Sequence, residues 1–226
     1  MAKRVITERD VQEAQKKGMK SLGAVVGSTI VTPAARDAAK QYGIELLDQP
    51  DSVIPATHTV QNVELLRPSN MHQPNADIVI ALGSDHGGFS MKEQLKKILA
   101  EHGYSIADVG THSDAACDYP DFAFAVASLV SSKNAARGIM IDAVGVASAM
   151  VANKVPGVRA AVGFSELAAR SSREHNDANV LTLGGKVLGA ESAKAIVNVW
   201  LDTWFGGGRH AARVQKITDV EKRFSK

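Results

Sequence analysis

Three short stretches carry the side chains that could do chemistry. The first, Gly83-Ser-Asp-His-Gly-Gly88, sets a carboxylate, Asp85, beside an imidazole, His86, between glycines and just before an amphipathic run that starts at Phe89. Backbone N–H groups at a helix start attract anions, so this turn suits a phosphate or a sugar hydroxyl; a plain helix cap by Asp85 explains it equally well. The second, Arg173-Glu-His-Asn-Asp-Ala-Asn179, puts His175 and Asn176 at the end of a helical pattern. Consecutive polar side chains there are either solvated or functional. The third, Gly206-Gly-Gly-Arg-His-Ala-Ala-Arg213, turns sharply and then spaces Arg209 and Arg213 four apart, on one helical face. Two guanidiniums so placed can grip a phosphate through paired, charge-assisted hydrogen bonds, or form an ordinary solvated face.

The elements that must position these groups are legible from Ile78 onward. Apolar strand patterns at 78–82, 104–109, 138–141, 158–162 and 179–183 alternate with helical patterns at 89–102, 122–132, a run ending at Glu174, and 191–204. Such alternation predicts right-handed crossovers and a doubly wound, Rossmann-like parallel sheet in an α/β/α sandwich. Ligands in that architecture sit outside the carboxyl ends of the strands, so the loops to read start at Gly83, Gly110, Asp142, Gly163 and Gly184. A small N-terminal α/β extension is expected over 1–48. There Thr7 opens a polar helix running to about Gly18, Thr32-Pro33 opens a second one that stops at Gly43, and 24–26 and 44–47 read as strands. Four of the seven prolines fall within 49–76, which reads as a linker to a larger domain over 77–226.

Composition narrows the function classes. The chain has 226 residues, 45% hydrophobic and 22% charged, enough for one large or two small cores. With 26 basic against 24 acidic side chains and a net charge of +2, no run of like charge suggests a nucleic-acid partner. The apolar stretches fall short of the roughly 20 residues that cross a bilayer. No apolar signal segment follows Met1, so a soluble, cytoplasmic protein is expected. The single cysteine, Cys117, cannot form an internal disulfide, and no Cys/His cluster has zinc spacing, so neither a metal nor an organic cofactor is expected.

Six motifs in order then carry a resemblance. Ser84-Asp-His-Gly-Gly, Asp118-Tyr-Pro-Asp, Ala152-Asn-Lys-Val-Pro-Gly-Val-Arg-Ala-Ala, Arg173-Glu-His-Asn-Asp-Ala-Asn-Val-Leu, Leu183-Gly-Gly-Lys-Val-Leu-Gly and Gly207-Gly-Arg-His look like the type B ribose-5-phosphate isomerases and the related galactose-6-phosphate isomerase subunits. The resemblance implies an aldose–ketose isomerase acting on a phosphorylated sugar, as a homodimer or tetramer. By the same token Asp85 and His86 would contact the sugar or phosphate, and His175 would open the furanose ring with Asn176 beside it. Arg209 and Arg213 would hold the phosphate, across a dimer interface as in the family. Lys186 stands where relatives usually carry an arginine, which keeps the charge and loses the fork. Asp118 and Tyr119 would line the pocket.

The base loop departs from the family pattern. Relatives usually read Cys-Gly-Thr-Gly-x-Gly there, the cysteine moving the proton between C1 and C2 and the following amides stabilising the enediolate. Here the loop reads Asp142-Ala143-Val144-Gly145-Val146-Ala147, and Ser148 matches a later position where some relatives carry a carboxylate. A carboxylate can do this chemistry, as the glutamate of triosephosphate isomerase does, and burial at a strand end would raise the pKa of Asp142. Asp142 as base, with the amides of Ala143 to Ala147 as oxyanion donors, is one expectation. Asp142 as a mere cap of the next helix, in an impaired or purely sugar-phosphate-binding protein, is the other, because Ala143 and Ala147 restrict the turn and Val144 lacks a hydroxyl. Cys117, outside this loop, is not expected to be a nucleophile.

The N-terminal stretch, Arg4-Val-Ile-Thr-Glu-Arg-Asp-Val with Ile30-Val-Thr-Pro-Ala-Ala-Arg-Asp-Ala-Ala-Lys-Gln-Tyr-Gly-Ile-Glu-Leu, resembles a segment that precedes several enzymes of bacterial microcompartments. That implies docking of residues 1–48 to a shell or partner enzyme; packing on its own dimer is the alternative.

Overall fold

The computed structural model describes residues 4–25, 29–49, 64–66 and 75–225, so most of the expected linker lies outside the described residues. The N-terminal part holds β1 (Arg4–Ile6), α1 (Glu8–Lys16), β2 (Ser21–Val25), β3 (Thr29–Val31), α2 (Pro33–Tyr42) and β4 (Glu45–Gln49). Strand β1 pairs in parallel with β3, and β2 with β4. The register exposes an internal duplication. Val5 lies opposite Ile30 and Ile6 opposite Val31; at the same sequence offset Thr7 and Thr32 precede the two helices, and Gly18 and Gly43 follow them in the left-handed region, at φ 69° and 64°. The caps differ. Thr32 Oγ1 accepts from the Ala35 amide at 3.2 Å, whereas the Thr7 amide and hydroxyl both donate to Asp10 Oδ2 at 2.8 Å.

Alternation along β1 and β3 then divides their side chains between two cores. Ile6 and Val31 pack with Val11, Ala14, Ala35 and Ala39 of this segment, while Val5 and Ile30 pack into a cluster with Ala81, Phe122 and Val126 of the larger sheet.

That sheet comprises β5 (Glu64–Leu66), β6 (Val79–Ser84), β7 (Ser105–Asp108), β8 (Arg137–Asp142), β9 (Ala160–Val162) and β10 (Val180–Gly184). They stand in the order β5-β7-β6-β8-β10-β9, and β5 alone is antiparallel to its neighbour. Helices α3 (Phe89–Glu101), α4 (Tyr119–Ser131), α5 (Val146–Ala152), α6 (Glu166–Asn176), α7 (Ala190–Asp202) and α8 (Arg209–Phe224) complete it. The expected doubly wound α/β/α sandwich is what forms. The central strands are buried along nearly their whole length because both faces are covered: Ile80, Leu82, Ile139 and Leu181 meet Leu95, Leu99 and Trp200, while Ala81, Met140 and Val180 meet Phe122 and Val126. Helix α4 lies close on the sheet, since a Cβ on either Gly83 or Gly138 would come within 2.6 Å of the Val126 methyls. Strand β5 was not expected within the Pro-rich stretch, nor were the three-residue strands β1 and β3, and α5 was expected only as the helix that Asp142 would cap. Among the described residues no helix is long and apolar enough to cross a membrane.

Candidate active site

The parallel sheet aims three loops at one place, the carboxyl ends of β6, β8 and β10. Backbone bonds tie them together: the Asp85 amide donates to Ile141 O, Gly185 to Asp142 O and Lys186 to Ala143 O, at 2.7–3.2 Å. The contact is too close for side chains, because a Cβ on Gly88 would stand 2.3 Å from Ile141 O and one on Gly185 2.7 Å from Gly87 O. Glycine at these two positions therefore lets Asp85 and Asp142, both 5% exposed, share one recess, with Lys186 exposed at its rim.

The two carboxylates are held differently. Asp142 Oδ1 accepts from the amides of Val144, at 2.7 Å, and Gly145; Oδ2 accepts from the amide and hydroxyl of Ser148. Burial pushes this carboxyl up, but those four donors outweigh it and hold it below the usual carboxylate range. The upward shift expected for Asp142 from burial alone is thereby corrected. Of the expected oxyanion donors, Ala143 to Ala147, the amides of Val144 and Gly145 already serve Asp142. Asp85 is the opposite case. Burial dominates and raises it, the amides of Gly88 and Gly87 only partly offset that, and the Asp142 charge adds to it.

Beside Asp85, His86 is exposed and rests against the next loop: its Nδ1 stands 3.1 Å from the Cys117 carbonyl oxygen and 3.3 Å from the Cys117 amide. Burial raises the Cys117 thiol above its ordinary range, in keeping with an inert side chain. Under this loop Lys92 and Asp108, both fully buried, form a 2.5 Å ion pair, and Asp108 Oδ1 accepts from Gly110.

His175, Asn176, Arg209 and Arg213 are not in this recess. Helix α6 runs antiparallel to the strands and delivers His175 and Asn176 to the amino end of β10, the end opposite Gly184, which pairs with Asp142. A five-residue strand separates the two ends by roughly 15 Å. At the amino end Gly206 donates to Glu174 O and brings in α8, so that the His210 ring stacks on His175 with centroids 4.4 Å apart and 11° between planes. His175 Nδ1 is 3.1 Å from Ser171 Oγ. Arg209 and Arg213 are exposed on the first turns of α8. Desolvation and the nearby charges of His175, Arg209 and Arg213 press His210 below the usual imidazole range. The reading of the sequence passed over His210, although its place between two arginines was the available signal.

The split between the two ends of the sheet invites comparison with known proteins. A family model described as Ribose/Galactose Isomerase matches residues 80–217. The chain belongs to the ribose/galactose isomerase family. Ribose-5-phosphate isomerase B of Escherichia coli is 44% identical over 144 residues, 64% of this chain and 97% of that one. Galactose-6-phosphate isomerase subunit LacA 1 of Streptococcus pyogenes is 39% identical over 143 residues, 63% of this chain and 99% of that one. The solved ribose-5-phosphate isomerase B of Clostridium thermocellum superposes with a TM-score of 0.65 at 49% identity, covering 66% of this chain and 100% of that one. The family match starts at Ile80, so the duplicated N-terminal segment lies outside it.

Proposed function

We propose that the protein interconverts an aldose phosphate and its ketose phosphate through an enediolate, and that ribose 5-phosphate and ribulose 5-phosphate are the first pair to test. The observation that carries the mechanism is the contrast between the neighbouring carboxylates. Four donors occupy Asp142, so it stays ionised, orders the turn from Ala143 to Ala147 and adds to the upward shift of Asp85. A base works best with a pKa near the operating pH, and pairs of groups whose environments push them apart mark the division of labour. Asp85 is thus the group that moves the proton between C1 and C2. His86 contacts the substrate beside it, and Lys186 supplies charge at the rim.

Ring opening by His175, with Asn176 beside it, and phosphate capture by Arg209 and Arg213 require a second copy of the chain, whose amino-end cluster meets this carboxyl-end recess. Exposed Val144, Val146 and Met150 at one end, and Ile217, Val220 and Phe224 along α8, are apolar surfaces that such a homodimer would cover.

One observation favours binding without turnover: the turn amides that would meet an enediolate oxygen are engaged by Asp142. Proton NMR in D₂O, with ribose 5-phosphate and then a panel of aldose and ketose phosphates, separates the two readings. Deuterium at C2 together with product supports the isomerase. Silence across the panel, with phosphate binding still detectable, supports the binding protein. Loss of exchange in Asp85→Asn assigns the base to Asp85, whereas loss confined to Asp142→Asn returns it to Asp142.

A further inference from the structure

The N-terminal segment is built onto the larger sheet at the edge of the recess. Val5 and Ile30 pack into the cluster with Ala81 and Phe122. The duplication supplies a second link. At the position where α1 carries Asp10, its own capping carboxylate, α2 carries Ala35. The larger domain provides the missing group: Asp121, 6% exposed in the first turn of α4, takes hydrogen bonds from the Thr32 side chain and from the Glu8 backbone. One aspartate thus fastens the starts of both N-terminal helices two residues after Tyr119.

Docked in this way, α1 faces the Cys117 loop across a cleft of about 550 Å³. Arg9, Gln12 and Glu13 stand on one wall, and His86, Ser113 and Asp118 on the other. The Arg9 side chain is 60% exposed and is bound through Nε alone, to Glu13 at 3.3 Å, which leaves its terminal N–H groups without a protein acceptor among the described residues. Its charge is felt at the Cys117 thiol, next to His86. Opposite, Asp118 precedes α4 without capping it through its side chain. The lining mixes donors and acceptors, and its carboxylates, Glu8, Glu13 and Asp118 among them, repel a phosphate dianion. Such a lining fits vicinal hydroxyl groups.

We propose that this cleft seats the hydroxyl-bearing carbon chain of the sugar, and that Arg9 is a substrate-contacting, specificity-determining residue contributed from outside the region the family model covers. The inference rests on the isomerase reading, and it places the phosphate end away from α1.

The test compares full-length wild type, Arg9→Ala and the control Lys40→Ala, an exposed lysine on α2. For Arg9→Ala the expected result is a KM about tenfold higher for the sugar phosphate, a kcat and melting temperature close to wild type, and an unchanged inhibition constant for inorganic phosphate. Lys40→Ala changes none of these. An unchanged KM in Arg9→Ala overturns the proposal. So does equal weakening of KM and of phosphate inhibition, which would put the phosphate in the cleft. If the wild type turns over no sugar phosphate, the isomerase reading fails by itself, and calorimetric titration still reads Arg9. There, loss of the preference for ribose 5-phosphate over inorganic phosphate in Arg9→Ala supports the contact, and a retained preference overturns it.

Discussion

Ser148 donates both its amide and its hydroxyl to the same oxygen of Asp142. The carboxylate at the end of β8 therefore fills the anion-attracting start of the helix that follows it, and the turn is closed on its own side chain.

Asp142→Asn puts an amide group where an all-acceptor carboxylate faces four donors, leaving a buried donor opposed to another donor. The expected loss is about 2 kcal/mol of unfolding free energy. The lowered pKa of Asp142 means that its contribution is present above the unfolded carboxylate pKa and is lost as pH falls through the folded value. Urea titrations at several pH values should therefore show a shallower acid limb in Asp142→Asn than in wild type; equal limbs would remove Asp142 from the acid transition.

Asp121 works in the other direction. Burial, with Asp118 and Glu8 adding, raises it to about 6. The folded protein then holds a proton that the unfolded chain releases near pH 4, so stability falls as pH rises from about 4 to 6 and is flat above that. The full span is about 3 kcal/mol, from 1.36 kcal/mol per pKa unit. Asp121→Asn should abolish this slope, which thermal melts across that window would show.

Asp85→Asn should lower C2 proton exchange by on the order of 10²–10⁴, the range for loss of a general base, while sugar-phosphate binding persists. Exchange within twofold of wild type would exclude Asp85 as the base.

Separation of the two clusters by a strand length makes a mixing prediction. Asp85→Asn carries a lesion at the carboxyl end and Arg209→Ala one at the amino end. In a mixed dimer one site collects both lesions and the other none, so subunit exchange between two inactive variants should recover about a quarter of wild-type activity. No recovery in mixtures shown by mass spectrometry to contain heterodimers would mean that each site is built within one chain.

Much of this could be read from the residues. Thr7 and Thr32 with their following glycines marked both N-terminal helices, and the strand–helix alternation after Ile78 gave the sheet. Strands β1, β3 and β5 escaped because three residues carry no period of their own and β5 lies among prolines, whereas β9, equally short, was read from its place in the regular alternation after Ile78. The site residues were visible as types, and the family resemblance put Arg209 and Arg213 across a dimer interface, but the amino-end position of His175 and Asn176 was not read, because it follows from the direction of α6 relative to β10. The ionisation of Asp142 was misjudged because burial can be guessed from an apolar strand, whereas the deciding donor, Ser148, reaches back from the residue just after the loop only once α5 has formed. The partnership of Asp121 with Thr32 spans distant parts of the chain and left no local mark.

That partnership also makes the duplicated segment a poor transplant. One half carries its own capping aspartate, but the other half borrows it from α4, so grafting residues 1–48 onto an unrelated protein would leave Thr32 without its acceptor and the apolar side chains of Val5 and Ile30 in water.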